Sequence, residues 1–349
     1  MPTPALTANQ LRRELNARAE AYARAHSLLH DLSPGPAPSV VFGVDDHGAH
    51  GNFHSASYAR IVAHPDWARR LAKPHTASRR SRARKDWRWM ELDSATSSDA
   101  LLMNIFCHPQ VFDGRELTAA VASLLGVDRT AQPRFGANPG VPLATTLKPR
   151  RKKAAPLAAF DRTEIDLVLP GPTTTLFVEA KLTESGFQTA APSLLTRYRD
   201  LATVFDPDRL PKTSLPARVP HPSRMNGVAG QLARWGGRDE WDVESSPDTD
   251  PTDPDIPSDF LDTSHPSEPR IAGYQLIRNV LAAHAADAGF CLLLDARRRD
   301  LIETWYAVLS AVRSLSFATR LRVLTWQDLA ATLPAGLQYF LAEKYGIVK

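Results

Sequence analysis

The stretch TEIDLVLPGPTTTLFVEAKLTE, residues 163–184, constrains the fold more than any other part of this 349-residue chain. Two short runs of alternating apolar residues, TEIDLVL and TLFVEAKL, flank the turn-forming segment PGPTT and predict an antiparallel hairpin. Strand periodicity puts Ile165, Leu167 and Leu169 on one face and Glu164, Asp166 and Val168 on the other. In the second strand Leu176, Val178, Ala180 and Leu182 share a face, and Phe177, Glu179 and Lys181 take the opposite one. With the leucine-rich faces in the core, side-by-side pairing would bring Asp166, Glu179 and Lys181 together.

The surrounding pattern tells how such a hairpin is housed. FCLLLDA and RLRVLTW read as two further strands, and QPRFGANPGV and SVVFGV as weaker ones. Helical periodicity is expected over 9–32, over SYARIVAHPDWARRLAK with a break at Pro65, and over SSDALLMNIF with its serine cap. GRELTAAVASLLGV, PSLLTRYRDLATVF, VAGQLARW, IAGYQLIRNVLAAHAADAG, LIETWYAVLSAVRSL, WQDLAATLP and LQYFLAEKYG also read as helices. A hairpin followed by helix-to-strand crossovers implies an α/β fold with a mixed β-sheet flanked by helices. Residues 1–110 are expected to form an additional helical N-terminal region and residues 111–349 the core, with a flexible proline-rich acidic insertion at about 239–269.

Charge is distributed unevenly along the chain. The net charge is only +4, yet residues 67–89 hold nine Lys/Arg against the single acid Asp86, with three tryptophans interleaved. KPRRKK at 148–153 is a second basic cluster, and 239–269 carries eleven Asp/Glu and no Lys/Arg. The basic clusters suit a polyanion, with Arg79, Arg80, Arg82, Arg84, Lys85, Arg88, Lys148, Arg150, Arg151, Lys152 and Lys153 as candidate phosphate contacts. Solvated surface loops are the plainer account of the same charges. The longest strongly apolar run, FCLLL, is far shorter than the roughly 20 residues of a membrane helix. The N-terminus lacks the pattern of a secretory signal, and Cys107 and Cys291 form no disulfide framework or CxxC pair, so a cytoplasmic protein is expected.

The chemistry expected of the hairpin depends on its residue types. Two carboxylates beside a backbone carbonyl suit a hard, oxygen-loving cation such as Mg²⁺. Such an ion polarises a phosphodiester and lowers the pKa of bound water. A neighbouring ammonium can orient that water and stabilise charge developing on the phosphate. Of nine lysines in this arginine-rich chain, only Lys181 has an acid two residues before it. The alternative is a solvated strand face, with Asp166 as a cross-strand salt-bridge partner. His47, His50 and His54 in DDHGAHGNFH lack a fixed ligand spacing and read as a polar loop more readily than as a transition-metal site.

Asp166 followed by Glu179-Ala180-Lys181 on adjacent strands resembles the core of the PD-(D/E)xK nuclease superfamily. SSDALLMNIF, RTEIDLVL, VEAKLTES and GYQLIRNVL together resemble bacterial restriction endonucleases. The resemblance implies a restriction-endonuclease-like fold and Mg²⁺-dependent hydrolysis of DNA, with Mn²⁺ as a substitute ion. It implies Asp166, Glu179 and the Ala180 carbonyl as metal ligands and Lys181 as the residue assisting water. It also implies a glutamine on a following helix, for which Gln275 is the candidate, with Arg278 one turn on. A homodimer would suit double-strand cutting. The upstream acid that many members carry is not evident: QPRFGANPG has none, Glu116 suits a helix dipole better, and Glu164 could compete with Asp166. That gap leaves a second reading open, a catalytically silent nucleic-acid-binding protein that retains the nuclease fold.

Overall fold

In a computed structural model of the chain, residues 4–33, 38–74, 90–147, 157–214, 217–218, 261–262 and 269–348 are described. The hairpin lies inside a five-stranded mixed sheet. We label its strands β1 (Arg134–Ala137), β2 (Ile165–Pro170), β3 (Thr175–Ala180), β4 (Gly289–Leu294) and β5 (Leu321–Thr325). Their spatial order is β5-β4-β3-β2-β1. β1, β2 and β3 pair antiparallel, while β3, β4 and β5 run parallel. Parallel neighbours require crossover connections, and the helices Tyr274–Ala285 and Arg299–Leu309 lie within them. The mixed sheet flanked by helices expected from the sequence is present.

Six helices build or brace the strand ends: α1 (Ala8–Ala25), α2 (Pro65–Leu71), α3 (Ser98–Phe106), α4 (Tyr274–Ala285), α5 (Arg299–Leu309) and α6 (Ala335–Tyr345). The two faces of the sheet are buried in separate cores. Leu167, Leu169, Leu176, Val178 and Leu293 pack with Leu11 and Leu15 of α1, Leu101 and Ile105 of α3 and Leu337 and Leu341 of α6. Val168, Phe177, Phe290 and Leu292 pack with Leu276, Ile277 and Val280 of α4 and Leu301, Trp305 and Val308 of α5. Each fully buried leucine-sized side chain contributes about 1.5–3 kcal/mol. β4 is covered on both faces, which is why FCLLL is continuously apolar instead of alternating.

Local departures from the sequence pattern have identifiable causes. The helix expected over 9–32 stops at Ala25, because His30–Leu32 pairs with Val40–Phe42 as a small antiparallel ribbon. Within 111–127 only Ala119–Leu125 is helical, capped by the Thr118 hydroxyl and closed by Gly126 in the left-handed region. Hydrogen bonds from the Arg115 and Glu116 amides to Asp113 Oδ1 hold the preceding residues in a turn. PSLLTRYRDLATVF yields only Pro192–Leu195 and Leu201–Val204. The break expected at Pro65 is present: one helix ends at Ala63 and α2 begins on the proline.

One buried polar junction ties the two ends of the chain. Lys344 of α6 is 1% exposed, and its Nζ donates to Asn52 O at 2.8 Å and to Asn52 Oδ1 at 2.5 Å, among the rings of Phe42, Phe340 and Tyr345. Asn104 of α3 donates to the same Asn52 carbonyl at 3.1 Å. Burial pushes the Lys344 amine well below the usual lysine range. The unfolded chain therefore binds this proton more tightly than the folded one. Stability should rise as pH climbs from the depressed folded value toward the ordinary value of about 10.4. Urea denaturation at neutral and alkaline pH is expected to show that gain in the wild type. Lys344→Met, which has no amine to titrate, should lose it.

Candidate active site

The site is built where β2 and β3 end. The hairpin register sets Leu167 against Val178 and Val168 against Phe177. Continued by one residue, it sets Asp166 across from Glu179. The Ala180 amide donates to Asp166 Oδ2 at 2.8 Å, so the carboxylate takes the place of a backbone acceptor at the point where the ladder stops. The next residue is held from both sides: Lys181 N donates to Leu293 O at 2.8 Å, and Trp326 Nε1 donates to Lys181 O at 3.0 Å. These bonds fix the backbone from which the Lys181 side chain projects.

Two groups of side chains meet here. The first surrounds Glu179. Its Oε1 accepts from Gln275 Nε2 at 2.7 Å and lies 3.1 Å from Lys181 Nζ, while its Oε2 accepts from Asn279 Nδ2 at 2.8 Å. Gln275 and Asn279 are four residues apart on α4 and so reach the same point from one helix face. Asn279 Oδ1 accepts in turn from the Thr163 hydroxyl at 2.6 Å. Glu179 is 1% exposed and Lys181 7%, so both charges depend on these partners and not on water.

The second group is acidic. Ligand oxygens of Asp99, Glu164 and Asp166 all lie within 4.8 Å of one another. Asp99 comes from the first turn of α3, behind the Ser97 cap. Two cations from α2 and the residues after it face this trio. Arg70 Nη2 is 2.7 Å from Asp99 Oδ2 and 2.5 Å from Glu164 Oε1, and Lys73 Nζ is 3.1 Å and 2.9 Å from the same two oxygens. Gly136 of β1 makes room for this arrangement. It has φ +64°, and a Cβ there would sit 2.2 Å from an Arg70 guanidinium nitrogen.

Proton affinities record an excess of negative charge. Burial, then Glu179 and Asp99, hold the Asp166 carboxyl well above its usual range. Burial likewise raises Glu179, against the pull of Lys181. Glu91 is pushed up to about 7 by burial, with Lys73 opposing and Asp99 and Glu184 adding to the rise. Burial also acts on Glu164, but Lys73 and Arg70 outweigh it and lower that carboxyl to about 2. Burial disfavours the Lys181 ammonium, yet Glu179, Glu184 and Asp166 override it and raise its pKa above the usual lysine value. Asp166 thus lies among carboxylates with too little positive charge to balance them. An all-oxygen donor set with a charge deficit fits a hard divalent cation.

Asp166, Glu179, Ala180, Lys181 and Gln275 therefore converge, with Asp166 grouped with Asp99 and Glu164, and Glu179 grouped with Lys181 and Gln275. Arg278 does not share the glutamine's role. It donates to Arg162 O at 2.6 Å and faces Asp161, and Asn279 is the residue that joins Gln275. Glu116 is in a surface ion pair with Arg129. Glu164 joins Asp166 as a neighbour. An acid upstream of the hairpin does stand beside Asp166: Asp99, which as a first-turn helix acid in SSDALLMNIF carries the ordinary signature of dipole complementation. Only its burial tells it apart. In the sequence Arg70 and Lys73 stand out only as members of the basic run 67–89, and Asn279 only as part of GYQLIRNVL. His50 Nε2 donates to Asp93 Oδ1, 3.1 Å away, and among the described residues the acid trio is the only group of acids, histidines or cysteines with metal-ligand geometry. Arg79, Arg80, Arg82, Arg84, Lys85 and Arg88, and Lys148, Arg150, Arg151, Lys152 and Lys153, lie outside the described residues.

No described helix is long and apolar enough to cross a membrane. No curated protein and no solved structure matches the chain. A family model described as "Restriction Endonuclease associating with ARP" matches residues 16–225 and 243–346, which is most of the sequence. The matched region takes in α3 with Asp99, the hairpin with Asp166, Glu179 and Lys181, and α4 with Gln275. By that match and by its mixed sheet, the chain belongs to this family and is a restriction-endonuclease-like protein.

Proposed function

We propose that this protein is a divalent-metal-dependent endonuclease that hydrolyses phosphodiester bonds in DNA, acting in the cytoplasm and as a homodimer where both strands are cut. The observation that carries the reading is the meeting of Asp99, Glu164 and Asp166 with Glu179-Ala180-Lys181 at one strand end. Asp166 and Glu179, with the Ala180 carbonyl and the support of Asp99 and Glu164, would hold the ion, Mg²⁺ or Mn²⁺. When bound, it supplies polarisation of the phosphodiester and a water of lowered pKa.

The chain's own residues account for the remaining work. Lys181 keeps its proton because three carboxylates surround it, so it acts as a fixed positive charge and hydrogen-bond donor, not as a base. It can orient the attacking water and stabilise charge accumulating on the phosphate. Gln275 and Asn279 hold both oxygens of Glu179, which fixes the direction of its carboxylate. Trp326 and Leu293 fix the backbone beneath Lys181. A second reading, a silent DNA-binding protein, is favoured by one observation: Arg70 and Lys73 already neutralise Asp99 and Glu164.

Cleavage of plasmid and oligonucleotide DNA with Mg²⁺ or Mn²⁺ is expected from the wild type. Lys181→Ala and Asp166→Ala should each lower it by about 10²-fold or more. DNA binding without cleavage by the wild type, on every DNA and RNA tested, would establish the silent reading instead. Asn279→Ala, which releases one oxygen of Glu179, is expected to lower metal affinity by about 10-fold. Calorimetric titration with Mn²⁺ in the absence of DNA measures it. The ion must also displace protons held by Asp166 and Glu179. Because both carboxyls are raised, metal affinity should still be climbing with pH above the ordinary carboxylate value of about 4. Asp166→Asn should flatten that climb.

A further inference from the structure

A cavity of about 720 Å³ opens beside the acid cluster, between α2 and β1. Its wall carries Arg60, Arg69, Arg70, Lys73 and Arg134 and a single acid, Asp66. That acid is already engaged by Arg69 on the exposed side of α2. Arg134 is exposed on β1 and has no acidic partner among the described residues. Arg70 Nε is buried and has no hydrogen-bond partner there. Such a volume is large enough for a ligand of nucleotide size. A concave surface with this excess of cations, Arg134 unpaired among the described residues, attracts an anion.

The position limits what the anion can be. Arg70 and Lys73 line the cavity and also reach Asp99 Oδ2 and Glu164 Oε1, so the cavity and the acid cluster share one wall. Pro74, next to Lys73, pairs with Met90, so the chain enters and leaves the strongly basic stretch 75–89 at this same place. Resting on the nuclease reading above, we propose that this cavity seats a backbone phosphate of the substrate DNA strand, next to the one being cut, with Arg69, Arg134 and Arg60 as its contacts. It binds without reading sequence, since it offers charge and donors but no base-edge pattern.

The test uses Lys181→Ala protein, so that the DNA stays intact, and a fluorescein-labelled duplex followed by anisotropy across a salt series with Mg²⁺ present. Arg69 and Arg134 are exposed, so Arg69→Ala/Arg134→Ala in that background should keep its thermal melting temperature. It is expected to bind more weakly on every duplex sequence, with the salt slope reduced by about one for each phosphate no longer neutralised. Arg24→Ala, an exposed charge on α1, is the control. Unchanged affinity and slope in the double variant, while wild-type protein binds and cleaves, would overturn the cavity assignment and leave the nuclease reading standing. An equal loss in Arg24→Ala would reduce the effect to net charge and also overturn it. Inorganic phosphate is titrated separately. Phosphate binding that the double variant loses, with its DNA affinity unchanged, would assign the cavity to a small anion and overturn the proposal. Wild-type protein that neither binds nor cleaves DNA would remove the nuclease reading and this one together.

Discussion

The burial of Glu179 is the constraint around which the site is organised. A carboxylate removed from water costs several kcal/mol unless partners replace the lost hydration. Glu179 has three: Lys181 from its own strand, and Gln275 and Asn279 from α4. Those partners exist only if α4 lies across the end of β3, and α4 lies there because its Leu276, Ile277 and Val280 share a core with Phe177 and Leu292. Core packing and the polar site are therefore one arrangement. Moving α4 by a turn would expose the apolar face and strand the carboxylate together.

The acids around Asp166 obey a different logic. Two of them, Asp99 and Glu164, are neutralised by Arg70 and Lys73, and Glu164 is correspondingly easy to ionise. Among the described residues Asp166 has no such cation in direct contact, only the Ala180 amide, and it holds its proton far more tightly. Two acids in one cluster thus titrate in opposite directions because their counter-charges differ. A structure that stabilised itself alone would pair or remove such a carboxylate. The divalent ion proposed above would supply the missing counter-charge.

The site also draws on the whole chain. Asp99, Arg70 and Lys73 precede residue 110, the hairpin lies in the middle, and Gln275 and Asn279 come after 270. α1 and α3 share a core with the hairpin strands and α6, so the early helices are part of what holds Asp99 in place. Lys344 joins in at the far end, through Asn52 and its neighbour Asn104, the latter on the same helix as Asp99.

Local patterning was enough to specify the hairpin, the strands beside it and the residue types at the strand ends. Alternation in TEIDLVL and TLFVEAKL is a two-residue period that puts Glu179 and Lys181 on one strand face. Bringing Asp166 to them takes the strand pairing as well, and Ile165, expected with Leu167 and Leu169, packs instead with Val168 and Phe177. The continuous apolar run at 290–294 identified a buried strand, and the serine cap marked the start of α3. Which distant residues complete the site was decided by packing. Asp99 in a first helical turn is indistinguishable in sequence from an acid complementing a helix dipole, until burial places it against Asp166. Gln275 could be singled out, but its partner is Asn279 and not Arg278, because helix rotation against β3 is set by the apolar face and not by the polar residues themselves. Arg70 reaches the acids across Gly136, sixty-six residues away in the chain, and no local pattern can encode an approach that depends on how two separate elements cross.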